Sequence, residues 1–297
     1  MKFSIVTPAY NSAAYIAETI ESVLSQRGDF EIEYFIVDGA SKDGTVAIAY
    51  EYKARLESGG YPISSKGINM SIISEPDAGM YDAINKGFKD ATGDVYAWIN
   101  SDDYYLPGAF ASIAMAFKRF PEIRWIKGAS TLLVNNVQKF MPAFIYNQSW
   151  IRRGIYGRYA YFIQQESVFW RNSLWNEAGP LASIYRYAGD YALWITFSNH
   201  AKLWSIDARV SCFRIRPGQL STQGNHYSTE QNRVSLPQGD LLEFRIKLFF
   251  WIKNRFSFAE PAFIFMYPFL FSETAQEYIH FPPTGPEIKK SYSYRVL

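Results

Sequence analysis

The chain has 297 residues, 48% of them hydrophobic and 20% charged, enough for one large α/β domain with an appendage or for two modest domains. A formal net charge of +2 excludes nucleic-acid binding driven by bulk charge, and the single Cys212 excludes an intrachain disulfide and fits a reducing compartment. Aromatic residues are abundant, with 22 Tyr, 23 Phe and 8 Trp, a surplus that suits a sugar-binding cleft, a membrane interface or an aromatic core.

Phe3-Ser4-Ile5-Val6-Thr7 predicts a first strand, ended by Pro8. Ser12 is placed to cap a helix over 13–26 with Ile16, Ile20, Val23 and Leu24 on one face. Tyr34-Phe35-Ile36-Val37 predicts a second, buried strand and Asp43-Gly44-Thr45 leads into a helix ending near Gly59. A third strand is expected at 70–73, a short helix at 80–90, a fourth strand at 95–99, and a further helix with Pro107 at its first position. This alternation predicts an α/β fold, a mainly parallel sheet with helices on both faces.

Beyond 121 the pattern loosens. One or two strands are expected within 123–145, a loop or lid at 146–163, a helix near 189–200 and a long loop over 217–240. The N-terminus is too short in apolar residues for a secretory signal, and no run reaches the roughly 18 apolar residues of a spanning helix, so a cytoplasmic location is expected.

In open α/β sheets, ligands bind beyond the carboxyl ends of the strands. The polar residues gather there: Thr7-Pro8-Ala9-Tyr10-Asn11 after the first strand, Asp38 to Thr45 after the second, Glu75-Pro76-Asp77-Ala78-Gly79 after the third, and Asn100-Ser101-Asp102-Asp103 after the fourth. Bringing Asp38, Asp77, Asp102 and Asp103 together is costly without a cation, and oxygen ligands suit Mg²⁺ or Mn²⁺. The chain lacks both a Gly-x-x-x-x-Gly-Lys-Ser/Thr loop and a Gly-x-Gly-x-x-Gly fingerprint, which disfavours P-loop and dinucleotide readings.

At these four stretches, and again at Ala188-Gly189-Asp190-Tyr191-Ala192-Leu193-Trp194, the sequence resembles the family 2 glycosyltransferases of the GT-A fold, over about residues 3–215. The resemblance implies inverting transfer of a sugar from a UDP-, GDP- or dTDP-sugar to a saccharide or lipid-linked hydroxyl acceptor, in polysaccharide or lipid-linked oligosaccharide synthesis. It implies a base pocket of Thr7, Pro8, Ala9 and Tyr10 with Asp38, a donor pocket reaching Asp77, Lys86, Asn100 and Ser101, and a divalent metal on Asp102 and Asp103. Asn100 stands where the family often has a first Asp. Asp190 matches the general base, Gln165 and Glu166 the acceptor side, and His226 a loop residue that reaches the metal or pyrophosphate. Two other classes compete: a sugar-phosphate nucleotidyltransferase, which would carry a Gly-rich basic loop after the first strand, and a non-catalytic nucleotide-sugar binder, which would be expected to lose Asp102 or Asp190.

These features divide the chain into a GT-A domain at 1–240, with a nucleotide-sugar half (1–120) and an acceptor half (121–240), and a helical, aromatic extension at 241–297. Segment 241–256 carries four basic residues and one acidic among Phe, Leu, Ile and Trp. Such a helix suits either peripheral attachment to an anionic cytoplasmic membrane face or packing on protein.

Overall fold

The computed structural model describes residues 1–219, 225–235, 237–271 and 275–296. Strands β1 (Lys2–Ala9), β2 (Glu31–Asp38), β3 (Gly67–Ser74) and β4 (Val95–Trp98) alternate with helices α1 (Ile16–Leu24), α2 (Thr45–Glu57) and α3 (Met80–Lys89). After them come β5 (Tyr104–Tyr105), α4 (Ala109–Arg119), β6 (Trp125–Val134), β7 (Val137–Phe140), α5 (Gln148–Arg152), β8 (Val168–Arg171), α6 (Asn172–Ala178), α7 (Gly189–His200) and β9 (Leu203–Ile215). The chain closes with α8 (His226–Val234), α9 (Leu241–Arg255), α10 (Glu260–Phe271), β10 (Gln276–His280) and β11 (Glu287–Ser291). The central sheet runs β11-β10-β9-β6-β8-β4-β1-β2-β3, with β5 on β9 and β7 on β6.

The first four strands are parallel to one another, and β8 is the antiparallel strand that joins them to β6 and β9. Their near-continuous apolar runs follow from burial on both faces. In β1, Phe3 and Ile5 enter one core layer with Ile16, Ile20, Phe110 and Phe169, while Val6 enters the other with Trp98, Trp125, Trp170 and Trp194. The aromatic surplus largely resolves here: Trp98 stacks on Trp194 at 5.6 Å, and Trp170 sits edge-on to both. Trp170 is fully buried and is a core residue.

Helix α3 lies directly on β1 because position 87 is glycine. A Cβ there would fall 2.6 Å from Cγ1 of Val6. Gly87→Ala is therefore expected to lower stability by about 1–3 kcal/mol, measured as a fall in thermal midpoint.

Several local expectations are corrected. Helix α1 starts at Ile16, not 13, and has no side-chain cap. The Ser12 carbonyl accepts from the Tyr15 and Ile16 amides, while its hydroxyl is taken by Ser101 (2.6 Å). Pro107 lies outside α4, which is entered through Gly108 at φ 81°. The stretch 217–240 is not all loop: it holds α8, although 220–224 and 236 lie outside the described residues. Asn147 caps α5, accepting from the Ser149 and Trp150 amides.

The extension is helical as expected, and it also adds two strands to the sheet through the parallel bridge Ile279–Ile206. Ile246, Phe249, Phe250, Tyr267, Phe271 and Tyr294 share the Trp-rich core layer. No helix among the described residues is long and apolar enough to cross a membrane.

Candidate active site

The loops after β1, β2, β3 and β4 meet at one edge of the sheet and are stitched together by hydrogen bonds. The Asn11 amide donates to Ser41 Oγ (2.8 Å), the Ser12 amide to Thr45 Oγ1 (2.7 Å), and Ser12 Oγ meets Ser101 Oγ. Asn11 (φ 48°) and Ala40 (φ 60°) take left-handed backbone conformations that non-glycine residues seldom adopt. Such conformations persist only where the surrounding bonds hold them, and these two lie in the loops that carry the β1 and β2 motifs.

Asp38 is fully buried at the end of β2. Its Oδ2 accepts from the Ser41 amide (3.0 Å) and the Ser74 hydroxyl (2.8 Å), and its Oδ1 from the Ser41 hydroxyl. Asp77 lies alongside. A Cβ on Gly39 would meet Asp77 Oδ2 at 2.6 Å, so glycine is what lets that carboxylate approach the β2 loop. Asp77 Oδ1 accepts from the Gly79 amide at 2.8 Å.

Lys86 ties the same loop, donating to the Pro76 carbonyl (2.9 Å) and pairing with Glu75 (2.9 Å) and Asp82 (3.5 Å). Of the expected base pocket, Tyr10 is 64% exposed while Ala9 is buried. Thr7 is also buried, its hydroxyl engaged with Tyr34 at 2.9 Å.

After β4 the carboxylates turn inward. Asp102 Oδ2 is paired with Arg216 Nε at 2.7 Å, and Asp103 Oδ1 accepts from the Arg214 amide at 2.8 Å. Burial, with the Asp102 and Glu166 charges beside it, pushes the Asp103 carboxyl well above the usual carboxylate range. Asn100 donates to Asp103 at 3.4 Å, and its own Oδ1 is buried without a hydrogen-bond partner.

Gln165 and Glu166 stand just before β8, both buried. Both polar atoms of the Gln165 side chain and Oε1 of Glu166 lack hydrogen-bond partners. Unpaired buried polar groups cost roughly 1–3 kcal/mol each, so these atoms are available to a bound partner. Burial raises the Glu166 carboxyl to about 7 and lowers the buried Lys127 ammonium to about 8, even though each favours the other's charge. Lys127 was missed in the sequence. Its signal is a lysine inside the otherwise apolar stretch Trp125-Ile126-Lys127-Gly128-Ala129.

Asp190 lies in the first turn of α7, whose cap position is Ala188. Its Oδ1 accepts from the Tyr81 (3.3 Å) and Tyr227 (3.2 Å) hydroxyls and from the Tyr191 amide (2.8 Å). Burial outweighs these bonds and raises its carboxyl to about 6. Its charge also reaches Glu166, and Glu166's reaches Asp103, so the β4 loop, the β8 entry and α7 share one electrostatic environment.

The turn before Asp190 is fixed by buried Glu230 of α8, which accepts from the amides of Arg186 (3.0 and 3.1 Å), Tyr187 (2.7 Å) and Ala188 (2.8 Å). Tyr81, Tyr227 and Glu230 were not legible in advance, because nothing in sequence spacing links positions 81, 190 and 230. A pocket lined in part by Tyr156, Phe162, Tyr191 and Tyr227 adjoins Asp190. His226 is exposed and stacks on Tyr187 at 5.1 Å. Among the described residues, no three His, Cys, Asp or Glu side chains are grouped to hold a metal ion.

Two hydroxyl donors to a carboxylate favour its charged form, so deleting one raises its pKa. Tyr227→Phe is expected to raise the Asp190 carboxyl pKa by roughly half to one unit, read from the pH dependence of the Asp190 carboxyl carbon by NMR. An unchanged titration in the variant would show that the Tyr227 hydroxyl does not hold the charged form of Asp190.

Residues 4–170, more than half the chain, match the family described as Glycosyl transferase family 2. A Mycobacterium tuberculosis protein named as a PGL/p-HBAD biosynthesis glycosyltransferase is 29% identical over 202 residues, covering 67% of this chain and 71% of its own. Staphylococcus aureus TarS, named as a poly(ribitol-phosphate) beta-N-acetylglucosaminyltransferase, is 33% identical over 107 residues, 35% of this chain and 17% of TarS.

The structure of TarS 1-349 in complex with UDP-GlcNAc has a TM-score of 0.59 at 18% identity, covering 91% of this chain and 80% of that one. The chain spans 45% of the longer TarS structure. The Pyrobaculum calidifontis mannosyltransferase PcManGT, in complex with GDP-Man and Mn²⁺, has a TM-score of 0.55 at 14% identity, covering 88% and 72%. At those identities the structural likeness is one of fold, and it is the GT-A fold. The order of the β1 to β4 motifs, the sheet that brings them to one edge and the family match over residues 4–170 place the chain in glycosyl transferase family 2, as a glycosyltransferase.

Proposed function

We propose that the protein transfers a glycosyl group from a nucleoside-diphosphate sugar to a saccharide or lipid-linked hydroxyl acceptor with inversion, at the cytoplasmic face of a membrane, in surface-polysaccharide or lipid-linked oligosaccharide synthesis. The observation that carries the reading is Asp190: a half-buried carboxylate near pKa 6, held by the Tyr81 and Tyr227 hydroxyls and next to a small cavity lined by Tyr156, Tyr191 and Tyr227. A base with a pKa just below working pH is mostly ionised yet still a competent proton acceptor. Asp190 takes the proton of the acceptor hydroxyl as its oxygen attacks the anomeric carbon, and the nucleoside diphosphate leaves from the opposite face. Gln165 and Glu166 serve the acceptor side, where their unpaired atoms can be satisfied.

Tyr10 supplies an exposed aromatic face for the base, at the end of the buried strand that carries Pro8 and Ala9. Asp38 Oδ1, with one accepted bond, retains capacity for a donor on the base. Asp77, Asn100 and Ser101 line the ribose and diphosphate, and Lys86 keeps the Asp77 loop in place. Thr7 acts through Tyr34 rather than by contact.

A divalent Mg²⁺ or Mn²⁺ ion would be held sparingly, by the Asp102 carboxylate together with diphosphate oxygens and with the unpaired Asn100 Oδ1 of the same loop available, since no protein cage of three His, Cys, Asp or Glu is grouped among the described residues. Asp103 and, on α8, His226 are its further candidates. When bound, that ion offsets the charge growing on the leaving diphosphate. Arg216 holds the Asp102 charge in its place and must give way to it.

The experiment is incubation of the protein with each candidate nucleotide sugar and lipid or saccharide acceptors, following nucleoside diphosphate release and the anomeric configuration of the product by NMR. Acceptor-dependent release with inverted configuration is expected. Retained configuration would remove the single-displacement role of Asp190.

A further inference from the structure

Helix α9 turns Glu243, Ile246, Phe249 and Phe250 into the core. On its other side Leu241, Phe244, Leu248 and Trp251 recur at spacings of three and four, the period of one helical stripe. They are 72%, 60%, 43% and 65% exposed. Helix α10 extends the surface with Phe265 and Phe269, four residues apart and 71% and 73% exposed, and Phe258 in the connection is 85% exposed. Among the described residues, nine of the twenty exposed large apolar side chains lie between 241 and 269, about a tenth of the chain, so this is a patch and not scatter.

The charges around the patch are sorted by sign. Arg245, Lys247 and Arg255 are exposed along α9. The acidic residues of the same segment are engaged within the protein. Asp240 pairs with Arg153 (2.7 Å), Glu243 accepts from the Gln238 and Gly239 amides, and Glu260 meets Arg295 (3.2 Å) and Lys253 (3.6 Å). A wet aromatic and aliphatic stripe bordered by cations matches the interface of an anionic bilayer, where rings insert at headgroup depth and basic side chains meet lipid phosphates. Neither helix is long enough to span, so the fitting geometry is one lying in the membrane plane. A second copy of the chain fits less well, because a two-fold contact through this face would bring the Arg245, Lys247 and Arg255 sets of both copies together.

We propose that the outer face of α9 and α10 is a docking surface for an anionic lipid bilayer, inserted through Phe244, Trp251, Phe265 and Phe269 and held by Lys247 and Arg255. The surface lies outside the donor site; the proposal rests on the membrane location in the reading above, supplies the contact that would make it, and stands whichever donor the enzyme uses.

Flotation of the full-length protein with vesicles of phosphatidylcholine alone, or with about a third phosphatidylglycerol, tests it. The wild type is expected to float with the anionic vesicles, and at least about tenfold less with the neutral ones or in 0.5 M salt. Trp251→Glu/Phe265→Glu and Lys247→Glu/Arg255→Glu are each expected to weaken anionic binding by at least about tenfold. Their thermal midpoint and turnover of a soluble acceptor should be unchanged, which separates this outcome from failure of the transferase reading. Wild-type protein left at the bottom of the gradient would overturn the proposal. So would a concentration-dependent dimer that Trp251→Glu dissociates while flotation is unaffected.

Discussion

Asp190→Asn is expected to lower kcat by ~10²–10⁴-fold while leaving nucleotide-sugar binding intact. The amide is nearly isosteric and its oxygen can still accept from the Tyr81 and Tyr227 hydroxyls, so the geometry at the start of α7 is kept while the proton acceptor is lost. The same substitution should not weaken the fold. Burial raises the folded carboxyl from 3.8 to about 6, so the native state favours the protonated form. This group therefore makes the protein progressively less stable as pH rises from about 4 to about 6, and by a constant amount above that, at most about 3 kcal/mol.

A neutral Asn avoids that penalty, and the variant should melt at or above the wild-type temperature at pH 7. Activity of the wild type is expected to have the opposite sign: with the ionised Asp190 carboxylate as the proposed base, kcat/KM should fall about tenfold for each unit below pH 6 and level off above it. Turnover of Asp190→Asn within twofold of wild type would take Asp190 out of the mechanism.

Glu230→Ala is expected to cost about 3–5 kcal/mol of stability and to reduce kcat while leaving donor affinity unchanged. One buried carboxylate accepts from the amides of Arg186, Tyr187 and Ala188. Losing it frees the turn that aims Asp190 and strands three backbone donors. Glu230→Gln keeps one carbonyl oxygen for those amides and should fall between the two in both melting temperature and kcat. An alanine variant that melts and turns over like wild type would mean that α8 does not position the base.

The first half of the molecule was readable because its signals are local. Buried parallel strands give unbroken apolar runs, and the polar residues that end β1 to β4 lie within a few positions of the strand ends that present them. Ser12 shows where local rules mislead. It reads as a helix cap, but its hydroxyl is spent on Ser101, 89 positions away, because tying two loops of the site together outcompetes capping.

The second half hid its important features for a physical reason. Helix α8 has no apolar face for periodicity to reveal, since its buried residues are Glu230 and Gln231. Its position comes from polar contacts to a turn some forty residues earlier. Lys127 shows as a lysine in a strand, but its proximity to Glu166 depends on the packing of β6 against the β8 entry. In the tail the helices were visible from composition, while the pairing of β10 with β9 rests on a contact about seventy residues apart.

In the proposed function, side chains distant in sequence assemble one sugar-nucleotide site in which Asp102 carries the metal. Thermal midpoints of the wild type and Asp102→Asn, each with UDP, GDP, dTDP and their sugars, with and without Mn²⁺, test it most directly. Ligand at about a hundred times its Kd adds about 2.7 kcal/mol, which raises the midpoint of a chain this size by roughly 5 °C. A rise of that order is expected for nucleotides of one base, in wild type only and only with Mn²⁺. No rise with any of them, or an equal Mn²⁺-dependent rise in Asp102→Asn, would contradict it.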